Sequence, residues 1–128
     1  MGKYDKLFTP FNIGNVEIKN RFVMGPMGIG YLNDQDSSFN EDAVAYYGER
    51  AKGGFGLIFT GVQLVDRYVD PPLSPSMLNN REAFIEKGKI LNDECNKYGS
   101  KIILELGYGV GRNYPTLLGR KWPRRCSR

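Results

Sequence analysis

The spacing of apolar and polar positions changes several times along the chain, and each change predicts an element. Phe11-Asn12-Ile13 and Val16-Glu17-Ile18 alternate apolar and polar residues around Gly14-Asn15, the pattern of a small β-hairpin. Arg21-Phe22-Val23-Met24 is a short apolar run stopped by Gly25-Pro26 and reads as a buried strand. Residues 27–39 are glycine-rich and polar, hence loop. From Asn40 the period becomes helical. Asn40 or Ser38 is the cap, and Glu41 and Asp42 occupy the first turn, where the helix dipole favours acids. Val44, Tyr47 and Ala51 share one face, and Gly53-Gly54 ends the helix.

Phe55 to Thr60 predicts a second buried strand, and residues 62–80, with Pro71, Pro72 and Pro75, a long loop. A second helix is expected from Arg81 to Tyr98, with Phe84, Leu91, Cys95 and Tyr98 on one face and Gly99 closing it. Lys101 to Leu106 predicts a third strand. This alternation implies an α/β fold, a parallel sheet covered by helices. Right-handed crossovers would bring the three strand C-termini to one edge. Gly25-Pro26-Met27-Gly28, Gly61-Val62 and Glu105 to Arg112 would meet there, where ligands bind in such sheets. A tight turn explains any one of these glycines. Three glycine-rich ends on one edge favour a ligand site, because bare backbone admits a flat ring or a phosphate.

Composition narrows the chemistry. The 128 residues are 41% hydrophobic and 25% charged, values of an ordinary soluble domain. No apolar run spans a bilayer, and the N-terminus lacks a secretory pattern, so a cytoplasmic protein is expected. The net charge of +4 is uneven. Residues 1–111 carry 12 Lys/Arg against 14 Asp/Glu, whereas residues 112–128 carry six basic residues and no acid. Such a tail either holds phosphates by counterion release or is simply solvated; the second reading is preferred, and a nucleic-acid partner is not expected. Histidine is absent and there are two cysteines, Cys95 and Cys126. A Ser-His-Asp or Cys-His site and a four-ligand Cys/His metal site within this chain are therefore excluded. Cys95 reads as a buried helix residue and Cys126 as a free tail thiol. Neither glycine cluster has Rossmann or P-loop spacing.

Leu7-Phe8-Thr9-Pro10-Phe11-Asn12-Ile13-Gly14, Ile18-Lys19-Asn20-Arg21-Phe22-Val23-Met24-Gly25-Pro26-Met27, Tyr47 to Ile58 and Gly99 to Arg112 together resemble the opening of the old yellow enzyme family. These are FMN-dependent NAD(P)H oxidoreductases. The resemblance implies the N-terminal part of a (β/α)8 barrel, preceded by a hairpin that closes its bottom, with FMN over the C-terminal mouth. It implies that Gly25, Pro26, Met27 and Gly28 contact the flavin largely through backbone, and that Gly61 lies beside the ring. Tyr31 would line the substrate mouth. Arg112 ends the family's glycine/arginine motif, with a purely structural role as the alternative. The implied reaction passes hydride from NAD(P)H to flavin N5, then to the β-carbon of an activated alkene, so the partner is a small-molecule substrate.

Glu105 stands where the family usually has Gln against the flavin pyrimidine edge. Ionised, it would accept from flavin N3–H but repel O2; protonated by burial, it would mimic Gln. It is expected to weaken FMN binding or lower the flavin potential. Residues 1–112 read as three strands of eight, and residues 113–128 as a basic, loop-like tail not matching the family. The family's later catalytic residues have no counterpart, so no catalytic residue is assigned. The chain is expected to be an N-terminal piece or a truncated product, inactive alone. Open sheet edges predict self-association or a partner chain completing the barrel; a non-catalytic half-barrel interaction module is the alternative.

Overall fold

The computed structural model describes residues 2–28, 31–36, 38–64 and 81–107. After a short 3-10 turn over Asp5–Phe8, β1 (Phe11–Ile13) and β2 (Val16–Ile18) form the expected antiparallel hairpin. Gly14 supplies its turn with φ +60°, a conformation that favours glycine. Ile18 is the hairpin residue that is buried.

β3 (Val23–Met24), β4 (Leu57–Leu64) and β5 (Lys101–Gly107) make one sheet in the order β3-β4-β5. Both pairings are parallel, with Val23 opposite Leu57 and Ile58 opposite Ile102. The three C-terminal ends therefore share one edge. The β4–β5 register slips between Phe59 and Val62, after which Val62 pairs with Glu105 and Leu64 with Gly107. The slip is a β-bulge.

α1 (Glu41–Lys52) begins at Asn40, whose side-chain oxygen accepts from the Ala43 N–H at 2.9 Å. Ser38 is not the cap: its N–H and hydroxyl both donate to Asp36 Oδ1. Gly54, at φ +106°, turns the chain out of the helix. α2 (Arg81–Lys97) packs against α1, where Gly48 leaves room for Glu94: a Cβ there would stand 3.0 Å from Glu94 Cγ. Ala43, Tyr47 and Ala51 of α1 and Phe84, Leu91 and Cys95 of α2 join Met24 and Ile58 of the sheet in one core, with Leu32 and Phe39. Full burial of a side chain such as Leu91 contributes about 1.5–3 kcal/mol.

Three element boundaries differ from the sequence expectation. β4 does not stop at Thr60 but runs to Leu64, so residues 62–64 are strand rather than loop; the bulge absorbs Gly61 instead of ending the ladder. β3 is confined to Val23–Met24. α2 ends at Lys97, and Tyr98, expected on its apolar face, lies beyond it and is exposed. Gly99 at φ +70° reverses the chain there, and the Tyr98 carbonyl accepts from Lys19 Nζ. Val44 is half-buried. The remainder of the 62–80 loop, Arg112, Cys126 and the basic segment lie outside the described residues. Among the described residues β3 and β5 are the outer strands of the sheet, and Val23, Ile103, Leu104 and Leu106 stand exposed on them. Among the described residues, no helix is long and apolar enough to cross a membrane.

Candidate functional site

Val23, Gly25 and Pro26 from the end of β3, Phe59 from β4, and Leu104 and Glu105 from β5 line one open concavity of about 400 Å³. Three residues singled out from the sequence, Gly25, Pro26 and Glu105, thus come together. The Glu105 side chain is solvent-exposed, while its N–H donates to Thr60 Oγ1 at 3.2 Å.

Gly61 is not beyond a strand end, as expected, but inside β4 and buried. Its N–H donates to Tyr47 Oη at 2.8 Å, and its carbonyl accepts from Gln63 Nε2 at 3.0 Å. Gln63 Oε1 in turn accepts from Asn33 Nδ2 at 3.0 Å. A Cβ on Gly61 would stand 2.5 Å from the Met27 carbonyl oxygen and 3.1 Å from Gly28 Cα. Glycine is required because the Met27–Gly28 backbone lies directly on it. On Gly25 and Gly28 an added Cβ would meet nothing within 4 Å, so that backbone borders open space. Met27 is exposed but does not line the concavity. Tyr31 does not line it either: its ring is exposed, and its carbonyl accepts from Asn40 Nδ2 at 2.6 Å.

Sequence reasoning missed Tyr47, Thr60 and Gln63 as parts of this edge. Tyr47 reads as an apolar helix-face residue, and it is buried, which pushes its phenol pKa up. Its hydroxyl is the informative atom, because a buried tyrosine O–H needs a partner. Gly61 inside an apolar run was the other available signal, since an isolated glycine in a strand marks a bulge or a close backbone approach. Other concavities among the described residues lie away from the edge. One, of about 360 Å³, runs between α1 and α2 past Val44, Gly48 and Ile90; another, of about 300 Å³, lies among Phe8, Phe22 and Phe55.

Residues 6–117 match the model of the NADH:flavin oxidoreductase / NADH oxidase family. Cinnamate reductase of Clostridium sporogenes is 42% identical over 122 residues, covering 92% of this chain and 18% of that protein. An NADPH dehydrogenase of Clostridium acetobutylicum is 34% identical over 112 residues, covering 85% of this chain and 31% of that one. The crystal structure of old yellow enzyme from Pichia sp. AKU4542 superposes with a TM-score of 0.66 at 28% identity, over 79% of this chain and 26% of that chain. The chain therefore spans less than a third of the length of these proteins, and its fold is the N-terminal part of their (β/α)8 barrel. With 112 consecutive residues matched, the chain belongs to the NADH:flavin oxidoreductase / NADH oxidase family.

Proposed function

We propose that the shared strand edge holds FMN, and that the chain contributes this part of the flavin platform to an oxidoreductase of the old yellow enzyme type. The observation that carries the reading is the convergence of Gly25, Pro26 and Glu105 on one concavity. The residues fit a flat, polar-edged group. Gly25 and Gly28 offer backbone with no side chain in the way, and Glu105 offers a carboxylate from the opposite side of the concavity. When bound, FMN supplies hydride transfer from NAD(P)H to the β-carbon of an activated alkene.

The chain's own residues bind and orient. The Gly25–Gly28 backbone would hold the ring and ribityl region, and Gly61 supports Met27 and Gly28 by leaving their backbone room. Glu105 would hold the pyrimidine edge, its carboxylate accepting from N3–H and disfavouring O2. Tyr31, which lies off the concavity, is assigned to the substrate mouth by the resemblance alone. The substrate class is an alkene conjugated to a carbonyl or carboxylate, in keeping with a 42%-identical relative named for reducing cinnamate. The outer strands β3 and β5 accept further parallel strands, from the same polypeptide or from another chain, which cover Val23, Ile103, Leu104 and Leu106.

Absorbance spectra with added FMN, before and after NADH, test the reading. A perturbed flavin spectrum that bleaches with NADH is expected; a spectrum identical to free FMN contradicts it.

A further inference from the structure

The bulge of β4 lies where the sheet edge meets the concavity, and side chains take up the backbone groups around it. Tyr47 Oη accepts from the Gly61 N–H at 2.8 Å, Gln63 Nε2 donates to the Gly61 carbonyl, and Thr60 Oγ1 accepts from the Glu105 N–H. Tyr47 is 1% exposed, and its ring packs edge-on against Tyr46 with centroids 5.1 Å apart. Its hydroxyl therefore stands at a fixed height above α1. Gly61 also touches the Met27 carbonyl and Gly28 Cα, with no space for a methyl group between them. A continuous stack runs from α1 through Tyr47 and Gly61 to the Met27–Gly28 backbone. The same bulge sets which residue of β5 faces Val62, namely Glu105.

We infer that Tyr47 is a positioning residue for the flavin platform: its hydroxyl fixes the β4 bulge, and the bulge fixes both Met27–Gly28 and Glu105. The inference rests on the FMN reading of the strand edge. Tyr47 lines none of the concavity and acts through Gly61. A residue needed only to fill the core would be served equally well by phenylalanine, which lacks the acceptor.

The test compares Tyr47→Phe with Leu91→Ala, a core truncation in α2 remote from the bulge, in the full chain. FMN affinity is read by flavin fluorescence, and amide exchange at Gly61 and Glu105 by NMR, below the unfolding transition of both variants. Tyr47→Phe is expected to speed exchange at these two amides and to raise the FMN Kd about three- to tenfold, the effect of one lost hydrogen bond. Leu91→Ala is expected to lower the midpoint of unfolding and leave the Kd within twofold of wild type. Thr60→Val, which removes the other acceptor with little change of shape, is expected to raise the Kd in the same range and stands in if Tyr47→Phe does not fold. Equal Kd values for wild type, Tyr47→Phe and Thr60→Val would overturn the positioning role while leaving the FMN reading intact. Absence of FMN binding by wild type would overturn both, and is seen before any variant is made.

Discussion

The Glu105 N–H donates to the hydroxyl oxygen of Thr60 at 3.2 Å, across the point where β4 and β5 slip register. Thr60 is fully buried, whereas Glu105 is exposed. Thr60→Val keeps the shape and deletes the acceptor. Urea unfolding is expected to show a loss of about 1 kcal/mol; an unchanged midpoint would mean that the bond contributes nothing to the fold.

Gly61 and Gly25 should separate stability from binding. An alanine at position 61 drives a methyl group into the Met27 carbonyl, and backbone cannot swing aside as a long side chain can. A cost of about 1–3 kcal/mol is expected, with weakened FMN binding. An alanine at position 25 meets nothing within 4 Å, so stability should hold within about 0.5 kcal/mol while FMN affinity falls. Thermal melts and fluorescence titrations of the two variants check this. A Gly25→Ala protein binding FMN as wild type does would remove that backbone from the site.

Glu105→Gln replaces a carboxylate that repels flavin O2 by an amide that donates to it. Tighter FMN binding and a raised reduction potential are expected, measured by titration and by equilibration with reference dyes. No change in either quantity would show that Glu105 does not face the pyrimidine edge.

Burial, with the Glu94 carboxylate as a lesser cause, pushes the Cys95 thiol from 9.0 up to about 11. Below pH 9 the thiol is protonated in folded and unfolded chains alike. Between pH 9 and 11 the unfolded chain releases a proton that the folded chain retains, so stability falls as pH rises. Tyr47, also shifted upward by burial, acts in the same direction at higher pH. Urea midpoints at pH 8 and 10.5 should drop further for wild type than for Cys95→Ala. Equal drops would contradict the buried thiol.

Much of the fold was legible because its signals are local. The alternation around Gly14-Asn15, the Asn40 cap and the apolar spacing of Phe84, Leu91 and Cys95 each specify an element through neighbours a few residues away. The β4 bulge had one weak signal, Gly61 itself. Gly61 reads as a strand end until the Met27 backbone, 34 positions earlier, is seen to lie on it. The hydroxyl partner of Tyr47 depends likewise on how α1 is set over the sheet. The convergence of Gly25, Pro26 and Glu105 followed from parallel topology alone, whereas the exposed placement of Tyr31, in a glycine-rich loop, had no periodic pattern to indicate it.

The claim that the three strand ends form one flavin platform is tested most directly by titrating FMN into isotope-labelled protein and following backbone amides by NMR. Saturable shifts concentrated at Gly25, Met27, Gly28, Gly61 and Glu105 are the expected result. Shifts confined to the groove between α1 and α2, or none at all, would contradict it.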